Sequence, residues 1–166
     1  MPSVFDPKRE RSNFRVSGPD NVCIALLPRL CRRYTPERYK VNFDFLPWQA
    51  DAADMLERGS LTSFSTLTTA CCPLTSARRT STARTGSSVR MPYFGAALSC
   101  LPGRELVLTL TSGMTQAVNR ASDLRLVKAP PELRPFHFLM VWHPRLTTDP
   151  RHAWLREAMR HAAHPK

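Results

Sequence analysis

The chain holds five histidines and five cysteines, the side chains with the widest reach for metal binding and nucleophilic chemistry. A zinc site needs such residues in close, repeated pairs. His137, His143, His152, His161 and His164 give no pair four apart on a helix, and no carboxylate pair completes a set. His161 and His164 are three apart, at a terminus expected to fray. Cys23, Cys31, Cys71, Cys72 and Cys100 are odd in number, form no C-x-x-C, and include an adjacent pair, so neither a disulfide framework nor a metal site fits. They read as reduced thiols, with Cys23, Cys31 and Cys100 expected as small core residues. No G-x-S-x-G elbow, P-loop or G-x-G-x-x-G occurs. Arg78-Arg79-Thr80-Ser81 has the form of a basophilic kinase site, a match that chance supplies in a segment of this composition. The chemistry therefore points away from an enzyme and calls for no cofactor or metal.

Elements able to carry a binding function are nevertheless present. Residues 13–16 read as a short strand ended by Ser17-Gly18-Pro19-Asp20, with Asp20 or Asn21 placed to cap the helix that follows. That helix carries apolar residues at three- and four-residue steps, basic residues near its end, and Pro28 inside, which is expected to kink or split it. Residues 40–46 alternate as a half-buried strand, and 49–58 form a short helix closed by Gly59. Beyond residue 88, strands are expected at 89–91, 105–110, 124–127 and 135–142, and helices at 92–101 and 112–121. A last helix runs from about Asp149 to His161, docked by Trp154, Leu155, Ala158 and Met159. Alternating strands and helices imply an α/β fold with a largely parallel sheet.

The composition is globular, 42% hydrophobic and 22% charged. The apolar runs are too short to span a bilayer, and the N-terminal residues lack the apolar core of a secretory signal, so a cytoplasmic location is expected with no membrane partner. A net charge of +11 admits anionic partners, but the basic residues are scattered over helix faces and do not define a nucleic-acid surface.

Three stretches, in order, resemble the effector-binding domain of LysR-type transcriptional regulators. They are residues 5–37, with the helix phrase LLPRL; residues 54–60, DMLERGS; and residues 89–159, whose most specific phrase is MVWHPRLTTDPRHAWLRE. The resemblance implies a periplasmic-binding-protein-like type II effector domain, with the first lobe largely present and the second lobe mostly missing. It divides the chain into a tail (1–12), a first half (13–59), an aberrant insert (60–88) and a second half (89–163). It implies a regulator sensing a small anionic or aromatic effector, and partners among copies of itself or relatives of the family. DNA contact is expected only through a helix-turn-helix that this chain lacks. The resemblance places the effector between the lobes. Its expected contacts are Ser17 and Gly18 after the first strand, Asp20 and Asn21 at the helix start, Pro92, Tyr93 and Phe94 in the hinge segment, and Thr111 and Ser112 at a strand end. Pro19 stands where the family usually has Ser or Thr, removing an N–H and a hydroxyl from that turn. His143 falls in the family-like WHPR turn and is expected to be structural. Two other readings are a stand-alone solute-binding module and a small basic nucleic-acid-binding protein, the latter marked by steeply salt-dependent DNA binding.

Residues 60–88 stand apart. Fifteen of the 29 are Ser or Thr, three are Arg, and none is acidic. A GC-rich gene read out of frame can yield this composition; a natural Ser/Thr-rich loop is the alternative reading. Shifted by one base, with open codon positions chosen to suit, the block can spell D-I-V-L and L-Y-R-E-D-W, similar to the family's third strand and its entry into the second lobe. A frameshifted block implies a sheet without an inner strand, with unpaired ladder groups and a truncated or degenerate product.

Overall fold

The alternating residues near the N-terminus form two parallel strands. β1 (Ser12–Gly18) and β2 (Val41–Pro47) pair continuously from Ser12 against Val41 to Gly18 against Pro47. The computed structural model describes residues 4–68, 74–78, 93–102, 107–111, 114, 124–128 and 137–164. The chain forms two compact units, one of residues 1–66 and 138–166, the other of residues 67–137.

The first unit is built on a four-stranded sheet of order β2-β1-β3-β7, with β3 at Ser63–Thr68 and β7 at His137–Val141. β3 runs parallel to β1, Val16 facing Ser63 and Ser17 facing Phe64. The expected gap in the sheet is thus corrected: the Ser/Thr-rich block itself supplies the inner strand. Its sequence, SFSTLT, has enough β-branched and aromatic character to extend. Neighbouring residues fix its entry. The Arg15 N–H donates to Thr62 Oγ1 (3.0 Å), the Thr62 N–H donates to the Arg15 carbonyl (2.8 Å), and Arg15 Nη1 donates to the Ser60 carbonyl (2.9 Å). Arg15 Nε reaches Asp44 Oδ2 on β2 (3.2 Å), so one side chain stitches both neighbours of β1.

Both faces of this sheet are covered, as parallel strands require. Phe14, Val16, Phe43 and Phe45 meet α1 (Asp20–Arg33) and the C-terminal helix through Leu30, Trp154, Leu155 and Met159. Trp154 stacks on Phe14 (centroids 5.6 Å) and on Phe43 (6.2 Å). Leu46 and Val141 belong to a second cluster with Ala52, Leu56 and Leu61, which seats α2 (Ala52–Glu57). The docking residues expected of the last helix are therefore found in the core.

Two expectations for α1 are corrected. The N-cap is neither Asp20 nor Asn21 but Pro19, whose side chain supplies no capping bond. Nor does Pro28 split it, since the helix is continuous through Arg33. Packing of Leu26 and Leu30, with Arg29 Nη1 donating to the Ala162 carbonyl (2.9 Å), offsets the bond that proline removes.

The family-like phrase near the C-terminus is a structural knot. A 3-10 turn (Pro144–Leu146) is capped by His143, whose Nδ1 accepts from the Arg145 N–H (3.2 Å). Asp149 caps the last helix, accepting from the N–H groups of Arg151 (2.8 Å) and His152 (3.4 Å). From that helix Arg156 donates back to the carbonyls of Leu146 (3.3 Å) and Thr147 (3.0 Å) and lies 5.0 Å from the Trp142 ring centroid.

The second unit has a short helix, α3 (Phe94–Ser99), and a three-stranded sheet. In that sheet β4 (Leu74–Arg78) lies antiparallel between β5 (Val107–Thr111) and β6 (Leu126–Lys128). The expectation of a largely parallel sheet therefore holds for β1 with its two neighbours and fails here, where the block again contributes the middle strand. Following α3, the C-terminal helix is α4 (Pro150–Ala163). The expected strand at 89–91 lies outside the described residues, and so does the helix at 112–121 apart from Met114. Cys23 is half-buried, but Cys31 and Cys100 are exposed, which corrects their placement in the core. Cys31 follows the inward-facing Leu30 and so lies off that face of the helix, and Cys100 stands at the C-cap of α3. Cys71 and Cys72 lie outside the described residues.

Candidate effector site

Strand order alone selects one end of the first sheet. From β1 the chain crosses through α1 to β2 on one side, then returns through α2 to β3 on the other. The two crossovers lie on opposite faces, so the carboxyl ends of β1 and β3 form a topological switch point. Crevices at such points are where α/β sheets bind ligands. The β1 end is Ser17 and Gly18, and α1 begins at Asp20.

The structure brings four expected residues together at this joint. Ser17, Gly18 and Asn21 are buried, and Asp20 is half-buried. Ser17 Oγ donates to the Pro47 carbonyl (2.9 Å), so its hydroxyl ties the ends of β1 and β2. Asn21 Oδ1 accepts from the Val22 N–H (2.9 Å), which also reaches the Pro19 carbonyl (3.0 Å). Asp20 places a carboxylate at the positive end of α1, where it complements the helix dipole and weakens the pull of this end on an anion. Burial, then the nearby Asp20 carboxylate, push the Cys23 thiol up, so it stays protonated and weakly nucleophilic.

The remaining candidates belong to the second unit. Tyr93 is the N-cap of α3 and exposed, Phe94 is its first residue and half-buried, and Thr111 ends β5, buried and paired with Leu74. Pro92 and Ser112 lie outside the described residues. Among the described residues no three His, Cys, Asp or Glu side chains gather as metal ligands, and no helix is long and apolar enough to cross a membrane.

Two features escaped the sequence. His152 is buried on α4, its Nδ1 2.8 Å from Arg156 Nη1, while its Nε2 forms no well-aligned hydrogen bond among the described residues. Burial first, then Arg156, hold its pKa below the ordinary histidine value; the Thr62 backbone opposes this only in part. An acceptor role toward Arg156 could have been suspected from the four-residue spacing on one helix. An aromatic groove beside Tyr34 and Trp154 is the second, and its walls come from opposite ends of the chain.

No family model matches the sequence. Among curated proteins, the HTH-type transcriptional regulator SyrM of Rhizobium meliloti is 37% identical over 57 residues, 34% of this chain and 18% of that protein. The SyrM of Rhizobium etli is 36% identical over 53 residues, 32% of this chain and 16% of that protein. The matches thus span less than a fifth of either relative. Solved structures agree over far more of the chain. The regulatory domain of MexT, a transcriptional activator of Pseudomonas aeruginosa, superposes with a TM-score of 0.72 at 19% identity, covering 92% of this chain and 98% of that one. CrgA, a LysR-type regulator of Neisseria meningitidis, gives 0.70 at 9% identity, covering 93% and 69%. The OxyR2 regulatory domain of Vibrio vulnificus gives 0.68 at 7% identity, covering 96% and 100%. The chain has the α/β, periplasmic-binding-protein-like type II fold of the regulatory domains of LysR-type transcriptional regulators.

Proposed function

We propose that this chain is a small-molecule-sensing domain of a transcriptional regulator, without catalytic activity, working in the cytoplasm. One observation carries the reading: a β2-β1-β3 switch point whose β1 end and helix start are formed by Ser17, Gly18, Asp20 and Asn21. With Asp20 already at the helix start, recognition there rests on directed hydrogen bonds more than on net charge. Tyr93, Phe94 and Thr111, with Pro92 and Ser112, are candidates from the second unit by family resemblance. Self-association would use the β2 edge and α1, since β2 has a strand partner on one side only among the described strands.

The test is an NMR titration of the 15N-labelled chain against a panel of small organic acids, phenols and amino acids. Saturable shifts at the amides of Gly18, Asn21, Val22 and Cys23 support the reading. If no compound moves those amides, and DNA binds with a steep salt dependence, the chain is a basic nucleic-acid-binding protein instead.

A further inference from the structure

We propose a second ligand site on the first unit, on the groove floored by Tyr34, Tyr39 and Trp154, for a small planar aromatic carboxylate. The groove has a volume of about 460 Å³ and is lined by the segment before β1, the C-terminal end of α1 and one face of α4. That size lies within the range of small-molecule sites, roughly 300–1,000 Å³.

Its walls are arranged for a ring. Tyr34 meets Tyr39 edge-on at 5.2 Å and Trp154 edge-on at 5.0 Å, so the floor is an aromatic cluster against which a ring can pack. Burial pushes the Tyr34 phenol up, and Arg33 opposes this through its charge and a side-chain hydrogen bond.

Its charges are arranged for an anion. The two carboxylates lining the groove are already engaged. Asp6 accepts from the Lys8 N–H (2.9 Å) and pairs with Arg9 (3.5 Å); Glu157 pairs with Arg160 and lies 3.3 Å from His161 Nε2. Lys8 and Arg33 are different: among the described residues neither has a carboxylate partner. Each stands beside an aromatic ring instead, Lys8 Nζ 6.0 Å from the Tyr39 centroid and the Arg33 guanidinium 6.0 Å from that of Tyr34, with Arg33 also bonded to the Tyr34 side chain. Two cations beside an aromatic floor offer charge-assisted hydrogen bonds to a carboxylate whose ring packs on that floor. A cationic ligand meets the opposite situation, because Lys8 and Arg33 stand beside the tyrosine rings and repel it.

Asp6, Pro7 and Lys8 come from the segment preceding β1, which is anchored by Phe5 in the core and by the Lys40 N–H donating to the Pro7 carbonyl (2.8 Å). An occupant would brace that segment against α1 and α4.

The test titrates the full chain with benzoate, cyclohexanecarboxylate and phenyltrimethylammonium, followed by 15N–1H NMR. Benzoate is expected to shift the Lys8, Arg33, Tyr34 and Tyr39 amides and the Trp154 indole saturably. Cyclohexanecarboxylate should bind more weakly, and phenyltrimethylammonium should leave these signals unmoved. The paired variant K8Q/R33Q, whose side chains lie outside the core, should keep its spectrum and lose roughly tenfold or more of the benzoate affinity, the scale of one charge-assisted contact. Benzoate shifts that are absent or linear without saturation, equal binding of the ammonium compound, or full affinity in K8Q/R33Q would each overturn the proposal. Shifts confined to Gly18–Cys23 would overturn it too, while supporting the effector site at the switch point.

Discussion

Arg145 lies against Gly59, whose left-handed backbone turns the end of α2 toward it. An added Cβ on Gly59 would lie 2.9 Å from Arg145 Nη2, and Gly59 has a φ of 75°. The Gly59 N–H donates to the Leu56 carbonyl (3.2 Å) and the Ser60 N–H to the Met55 carbonyl (3.0 Å), the Schellman ending of α2. Arg145 completes it from the far end of the sequence, donating to the carbonyls of Glu57 (3.0 Å) and Leu56 (3.1 Å). Two segments of the family-like sequence, ERGS and WHPR, thus meet in one helix terminus.

The pairing gives a double-mutant prediction. Gly59→Ala should cost about 1–2 kcal/mol from left-handed backbone strain, with a further contribution from the clash. Arg145→Ala should cost about 1 kcal/mol through lost bonds to the α2 carbonyls. The combined variant should cost less than the sum, because the clash disappears with the arginine. Urea unfolding of the four proteins measures this, and strict additivity would show that the two residues do not share the helix end.

Ser63 makes the opposite prediction. It is fully buried on the inner strand β3, and among the described residues its Oγ has no hydrogen-bond partner. A hydroxyl taken from water without compensation is destabilising, so removing it relieves a penalty. Ser63→Ala should leave stability unchanged or raise it by about 1 kcal/mol, seen as a higher midpoint in thermal unfolding. A clear fall in the midpoint would mean that the hydroxyl is satisfied in solution.

The same strand shows where the sequence stops being legible. β1, β2 and α4 announce themselves through alternation, the Pro47 stop, the Asp149-Pro150 start and the apolar face around Leu155. β3 does not, because SFSTLT lacks a clean apolar face. Its position is imposed from outside by Arg15 and by pairing with Val16 and Ser17. Composition made the block look foreign, yet pairing depends on backbone groups that every non-proline residue carries. The candidate site was legible where its members adjoin in sequence, at Ser17 to Asn21. The aromatic groove was not, because Tyr39 and Trp154 become neighbours only after α4 docks.

His152 predicts a dependence on pH. Its folded pKa is depressed below the ordinary 6.5, by burial first and Arg156 second. Above that value both folded and unfolded chains carry a neutral ring, and the group contributes no pH dependence. As pH falls through it, the unfolded chain takes up a proton that the folded chain resists, so stability is lost on acidification. Unfolding midpoints should therefore drop between about pH 7 and 5.5. His152→Leu should flatten this slope, whatever its effect on the absolute midpoint. An unchanged slope in the variant would assign the acid sensitivity to other groups.

Ser17 separates a structural role from a sensing one. Its hydroxyl is buried and bonds the Pro47 carbonyl, so it is committed to holding the ends of β1 and β2 together. Ser17→Ala should lower stability by about 1 kcal/mol, with the loss tracked by urea unfolding. Whether Ser17 also touches a ligand is read from a second quantity. If the residue only aligns the strands, any compound that shifts the Gly18 and Asn21 amides should bind the folded variant within about twofold of the parent, since a distant bond contributes little to contact energy. A loss of roughly tenfold or more, at temperatures where the variant remains folded, would place the hydroxyl against the ligand.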